Sequence, residues 1–399
     1  MTRTLGLRMI LPVISTSLLL TGCGDAGMEF AENFGGTEAP GVKQYPYQAQ
    51  FEAASKKFNV PVPILVAIGY SETRLYHVPG EESDIEGLPP TYGVMALRGD
   101  AISKGAELAG VPETDVQADP GANIMAAAAL LDQHATTLDV DRDDLGAWAP
   151  AIAALFDNPN LEASSHFIHE EVYRVLREGI TAPEDSGMGE ILKAVRHVTA
   201  NFPFLHVTLR GGELPRAFYS GAIWRPAPAA NYTSGRRGHD VELLVVHTCA
   251  GSYTSCWGWL TSLKNPSRTS AHYVVNETGS EVSALVDEMD TAHHVGKSWQ
   301  GLPTNPRSIG IEHGGFSYSL ANPWTEGQLA ASANLACDVV KRHNLVRDRN
   351  HILGHYQPDP VNRPNDPGID FPWAVYMSRI TECLGESGGD KDGDKRGVR

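Results

Sequence analysis

The chain is short of positive charge. Against 48 Asp and Glu stand only 32 Lys and Arg, for a net charge of −16 with neutral histidines. No basic stripe breaks that balance, which argues against nucleic acid as a partner. Long apolar runs are lacking as well: the run Met9–Leu20 is too short to span a bilayer. Cysteine is scarce, five in all, and the four beyond Cys23 lie in the C-terminal half. What the chain does have is an apolar fraction of 42%, ample for real cores and too high for a disordered chain. At 399 residues, two domains are more natural than one.

The first residues read as a targeting segment. Arg3 and Arg8 form a basic start, Met9–Leu20 an apolar core, and the segment ends Leu20-Thr21-Gly22-Cys23. It resembles a bacterial lipoprotein signal, which implies cleavage before Cys23, a lipid on its sulfur and a lipid-anchored protein exported to the cell envelope. Residues 1–22 are then signal peptide and 23–44 a Gly- and Pro-containing tether. Cys249, Cys256, Cys337 and Cys383 remain. An even count in an exported chain points to two disulfides, with three pairings open.

Residues 45–180 read as helical. Gln48–Phe58, Pro61–Arg74, Asn123–Gln133, Leu145–Phe156 and Ser165–Glu178 carry helical apolar spacing, Asp119-Pro120 marks a helix start, and no alternating strand pattern is visible. A loose segment, 181–223, holds Gly211-Gly212 and Pro215 and reads as a linker. From Val241 the texture changes. Val241–His247, Ala271–Val275, Glu281–Val286 and Arg307–Glu312 read as strands, with Asn276–Gly279 as a hairpin turn. Trp324–His343 is a helix with Thr325 and Gln328 as a capping box, and Trp373–Leu384 is another. The fold class is therefore α/β for 224–385, a mixed sheet with flanking helices preceded by an all-α domain. The charged, Gly-rich tail 386–399 is expected to be disordered.

Three apolar runs end in chemistry. Val245-Val246 leads to His247, Ile309-Gly310-Ile311 to Glu312, and Ile352-Leu353-Gly354 to His355, while Asp366-Pro367-Gly368 fixes a carboxylate in a turn. Two imidazoles and a carboxylate make a three-ligand zinc set with a fourth position open to water. A second, unligated carboxylate is what such a site needs to take the water's proton.

In order and spacing, Pro228–Tyr232, Val245–Thr248, Ser270–Val275, Ala292–Gly296, Ser308–Glu312, Gly354-His355 and Asp366–Gly368 resemble the zinc-dependent N-acetylmuramoyl-L-alanine amidases, which share a fold with peptidoglycan recognition proteins. The resemblance covers about Trp224 to Leu384. It implies zinc on His247, His355 and Asp366, Glu312 as general base, and His294 lining the substrate groove. Asp359 is a rival third ligand. The family often places an oxyanion-stabilising lysine two residues before the aspartate; that position is Pro364, and Arg363 next to it is the candidate replacement. Cys249 and Cys256 sit where recognition-type members often carry a disulfide. Proximity favours that pair and leaves Cys337 to Cys383.

In the helical half, Ile68–Thr73, Tyr92–Leu97 and Asp119–Ile124 resemble the lysozyme-like lytic transglycosylases, with Glu72 as general acid/base. Two polar positions of that family are Ala96 and Phe156 here. The combined expectation is a peptidoglycan hydrolase that cuts the amide between N-acetylmuramic acid and L-alanine, with an N-terminal domain that binds or cleaves glycan. The rivals are a non-catalytic peptidoglycan sensor and a lytic transglycosylase as main activity. No protein partner is implied.

Overall fold

The computed structural model of the protein describes residues 44–81, 88–183, 186, 188–205, 219–316 and 324–385. The expected signal peptide, the lipidated Cys23, the tether up to Lys43 and the tail 386–399 lie outside the described residues.

The helical half begins with α1 (Gln48–Phe58) and α2 (Val62–Thr73). Proline at the start of α2 wastes no hydrogen bond, and Ile64–Gly69 is buried throughout, so this helix is a core element. It stops where Arg74 turns left-handed. Next come α3 (Asp100–Ala109), α4 (Glu113–Ala118) and α5 (Pro120–Thr137). The Asp119 carboxylate caps α5 by accepting from the Ala122 N–H. A 3-10 turn leads into α6 (Ala149–Phe156); α7 (Leu161–His166) then runs through a wider π-helical stretch, Phe167–Val172, into α8 (Tyr173–Glu178).

The expectation of no strands in this half is overturned. Three short strands, β1 (Val78–Glu81), β2 (Thr91–Gly93) and β3 (Leu97–Arg98), form an antiparallel sheet beside α2. Strands of two to four residues are too short to show alternation. Their pairing is fixed from outside, by the buried Asn123 of α5. Its amide donates to the Tyr92 and Val116 carbonyls, and its oxygen accepts from the Met95 N–H.

The span read as a loose linker contains β4 (Ile180–Thr181) paired with β5 (Glu190–Leu192). The C-terminal half then holds β6 (Ile223–Trp224), β7 (Tyr232–Thr233), β8 (Leu243–Val246), α9 (Tyr253–Leu260), β9 (Tyr273–Val275) and β10 (Val282–Ala284). It continues with β11 (Thr291–Ala292), β12 (Ser298–Trp299), β13 (Leu302–Pro303), β14 (Ser308–His313), α10 (Glu326–His343), β15 (Ile352–Gly354) and α11 (Trp373–Cys383). Six strands form a mixed sheet in the order β15-β8-β14-β9-β10-β6. Alternation decides its faces: Leu244, Val246, Ile309, Ile311 and Ile352 pack with apolar residues of α10 and α11, while Leu243, Val245 and Leu353 cluster on the other face. Thr325 caps α10 as expected by accepting from the Gln328 N–H, but the Gln328 side chain donates to the Gly314 carbonyl, so the box has one arm. Among the described residues no helix is long and apolar enough to cross a membrane.

Both halves belong to one compact unit, 42–399, each with its own core, and the seam between them is mixed: Ala163 shares an apolar cluster with Trp257 and Leu260, and Val78 one with Ala250 and Phe316. Across the seam Thr254 donates to Glu171, the Asn160 amide donates to the Thr261 hydroxyl at 2.7 Å, and Thr91 donates to the Ala250 carbonyl at 3.2 Å.

Cys249 is bonded to Cys256, and Cys337 to Cys383, the latter joining α10 to α11. Non-reducing peptide mapping is expected to recover these two pairs. Constraint of the unfolded chain scales with loop length, so losing the 46-residue link costs roughly 4 kcal/mol and the 7-residue link roughly 2. Cys383→Ser should therefore lower the melting temperature more than Cys256→Ser.

Candidate metal centre and its groove

Strand register assembles the centre. In the parallel ladders Val246 is opposite Ile311 on one side and Gly354 on the other. The residues that follow, His247, Glu312 and His355, thus emerge side by side at the C-terminal edge of the strands, where open α/β sheets bind their ligands. Asp366 is brought in by its turn. The Thr248 N–H donates to its Oδ1 at 2.8 Å, and the Thr248 hydroxyl donates to the Pro367 carbonyl.

Asp366 Oδ2 lies 3.2 Å from His247 Nδ1 and 2.8 Å from His355 Nδ1, and the two imidazole nitrogens are 3.1 Å apart. All three side chains are almost completely buried. A chain of donors settles which nitrogen of His247 is bare. The Ser308 hydroxyl donates to the Thr304 carbonyl, so its oxygen accepts from His294 Nε2–H at 2.9 Å. His294 Nδ1 is then an acceptor for His247 Nε2–H, also at 2.9 Å. His247 Nδ1 is left with a lone pair directed at Asp366 and His355. Burial lowers His247 to about 4, which keeps that lone pair free of a proton at neutral pH. For Asp366, burial raises its affinity for a proton, but the neighbouring His247 and His355 outweigh this and hold it far below the usual carboxylate range. Two imidazole nitrogens and a carboxylate oxygen converging this closely fit a cation. The donor set of two imidazoles and a carboxylate suits zinc, and orienting one ligand through its second nitrogen is how such sites are supported.

Glu312 is buried beside this set but not in it, and its Oε2 has no hydrogen-bond partner. Burial, followed by the charge of nearby Asp366, pushes its proton affinity well up. One Glu312 oxygen and the two sulfurs of Cys249–Cys256 lie within 4.8 Å of one another, so the disulfide forms part of its wall.

The centre opens into a groove of about 660 Å³ lined by His293, His294, Lys297, His355, Asp359 and Arg363. Asp359, the rival ligand, is taken by Asn362, whose amide donates to both its oxygens, while Asp366 completes the triad. Arg363 faces the groove and acts electrostatically on both His247 and Glu312. His294 borders the groove, yet both its ring nitrogens are engaged, so what it does geometrically is hold His247. Sequence reasoning missed Ser308 and Thr248 as supports. The available signal was Gly310: a Cβ there would stand 2.6 Å from the His294 ring. Gly310→Ala is therefore expected to displace His294 and weaken zinc binding by about 10- to 100-fold, read by competitive metal titration.

Glu72 lies elsewhere, near the end of α2, in a separate cavity of about 400 Å³ that is also lined by Ala96 and Phe156, the two departures from the lytic transglycosylase pattern. Burial raises it to about 7, partly offset by the charge of Arg98. The Ser252 hydroxyl stands beside it without closing a well-formed hydrogen bond.

Residues 237–369 match the N-acetylmuramoyl-L-alanine amidase family. Among solved structures the chain is similar to a selenomethionine derivative of AmpD, at 27% identity and a TM-score of 0.36 over 41% of this chain and 97% of that one. It is also similar to a mutant endolysin from Bacillus subtilis, at 19% identity and a TM-score of 0.30 over 40% and 97%. A third is AmpDH3 from Pseudomonas aeruginosa in complex with anhydromuramic pentapeptide, at 23% and 0.29 over 41% and 66%. No curated protein matches. The matched stretch is the one that carries His247, Glu312, His355 and Asp366.

Proposed function

We propose that the chain is a zinc-dependent peptidoglycan amidase that hydrolyses the bond between the lactyl group of N-acetylmuramic acid and the L-alanine of the stem peptide. The observation that carries this reading is the convergence of His247 Nδ1, His355 Nδ1 and Asp366 Oδ2 at the head of a groove, with an unpartnered carboxylate beside them. Zinc held by those three atoms supplies a Lewis acid that acidifies water and polarises the amide carbonyl. Glu312 takes the proton of the attacking water. As the new C–O bond forms and the C–N bond breaks, it returns that proton to the departing nitrogen, leaving a lactyl carboxylate and a free alanine amine. Arg363 faces the groove with the charge that a developing oxyanion needs, in place of the family's lysine. A non-catalytic sensor would need no such complete set. The N-terminal stretch supports export and a lipid on Cys23 as membrane anchor.

Metal analysis of purified protein, combined with mass spectrometry of digested peptidoglycan, tests the reading. Activity indifferent to chelators, or products with intact lactyl amides, would sink it.

The helical half is proposed to bind glycan. Its Glu72, raised to about 7, also suits a working general acid. Since Ala96 and Phe156 remove polar groups from that cavity, Glu72→Gln is expected to leave the set of digestion products unchanged. Anhydro-muramyl ends released by the wild type and absent from the variant would show glycosidic cleavage instead.

A further inference from the structure

Three buried polar atoms without a partner belong to residues lining one cavity. They are Glu72 Oε2, Arg98 Nη1 and Trp259 Nε1. Buried groups of this kind are costly unless something completes them. Glu72 and Arg98 come from the helical half and Trp259 from α9 of the amidase half, so the cavity exists only where the halves meet. Among the described residues Arg98 Nη1 has no hydrogen-bond partner, while the guanidinium and Glu72 act on each other through their charges. A planar cation with an unpartnered nitrogen beside a partly open cavity fits a carboxylate better than any neutral group. Burial pushes Glu72 up to about 7, so it offers an O–H rather than a competing charge over the acid side of neutrality. The indole N–H of Trp259 needs an acceptor, and Phe156 and Ile152 supply an apolar wall for the face of a ring. At about 400 Å³ the cavity is of small-ligand size. Together these features describe a polar ring that carries one carboxylate.

We propose that this cavity binds muramic acid residues whose lactyl carboxylate is free, with Arg98 on the carboxylate and Trp259 and Glu72 on ring substituents. The identification rests on the proposed hydrolysis: before the cut the lactyl group is a neutral amide, and after it a carboxylate. The cavity then recognises the product strand and holds the chain on glycan that has already been stripped. Retention of product beside the catalytic groove raises the effective concentration of the neighbouring uncut stems.

The probes are N-acetylmuramic acid, N-acetylglucosamine (the same ring without the lactyl carboxylate) and the dipeptide L-Ala-D-Glu, a source of carboxylate without a ring. Each is titrated calorimetrically into the full chain. N-acetylmuramic acid is expected to bind at least about tenfold more tightly than N-acetylglucosamine. Arg98→Gln should collapse that preference to within about twofold, and Arg98→Lys should keep part of it. Trp259→Phe, which deletes only the N–H edge and keeps an aromatic ring, should weaken both sugars without changing their ratio. Equal affinity for the two sugars, tightest binding of the dipeptide, or a preference that survives Arg98→Gln in a folded protein overturns the proposal. Amide hydrolysis measured on the same preparations separates the two readings. A chain that hydrolyses no amide but keeps the sugar preference refutes the proposed function alone. One that hydrolyses amide and shows no preference refutes the cavity assignment alone.

Discussion

Glu312→Gln is expected to keep its zinc and lose about 10²-fold or more of amide hydrolysis. The residue stands beside the metal centre without belonging to it: His247, His355 and Asp366 meet one another, while Glu312 Oε2 has no partner. Glutamine has nearly the same shape and fills the same buried space against the Cys249–Cys256 sulfurs, so folding and metal content should hold. What it removes is a group able to take a proton from water and return it to the leaving nitrogen. Metal analysis and initial rates on the same sample check both halves of this statement. A variant within a few-fold of wild-type rate would exclude Glu312 as the base. A variant without zinc would make it a ligand instead.

The centre was legible because strand physics writes it plainly. A buried parallel strand is an apolar run, and the polar residue that ends such a run emerges at the edge of the sheet. His247, Glu312 and His355 are each that residue, and Asp366 is announced by the Asp-Pro-Gly turn. The capping of α5 by Asp119 and of α10 by Thr325 was legible for the same local reason. What could not be read depends on contacts between distant positions. The sheet β1–β3 is fixed by Asn123, and its short strands carry no period of their own. α3 was passed over although Ile102, Ala106 and Ala109 share its buried side, because small residues such as Gly105 blur the apolar face. The His294–Ser308 support joins a loop to the start of β14, and the seam pairs residues as far apart as Thr91 and Ala250. None of these leaves a pattern within a window of sequence. Arg98 is the clearest instance. As one arginine at the end of a two-residue strand it signals nothing, and it gains meaning only beside Glu72 and Trp259.

His247→Ala and His355→Ala are expected to abolish tight zinc binding, from about one ion per chain in the wild type to little or none, and with it amide hydrolysis. The two substitutions are not equivalent. His247 is wholly buried and joined to His294 and through it to Ser308, so its removal also leaves His294 Nδ1 without a donor inside the protein. His355 Nε2 has no such partner, so its loss removes only the contact of its Nδ1 with Asp366 and His247. Zinc that binds only the folded chain must raise its melting temperature by mass action. Wild-type protein should therefore gain thermal stability as zinc is added, and both variants should lose that response. Without metal, His247→Ala should be less stable than His355→Ala by an amount that reflects the orphaned His294, about 1–3 kcal/mol for an unsatisfied buried group. Zinc-dependent stabilisation that persists in either variant would remove that histidine from the ligand set. Equal metal-free stability of the two variants would show that the His247–His294–Ser308 chain does not hold the centre in place.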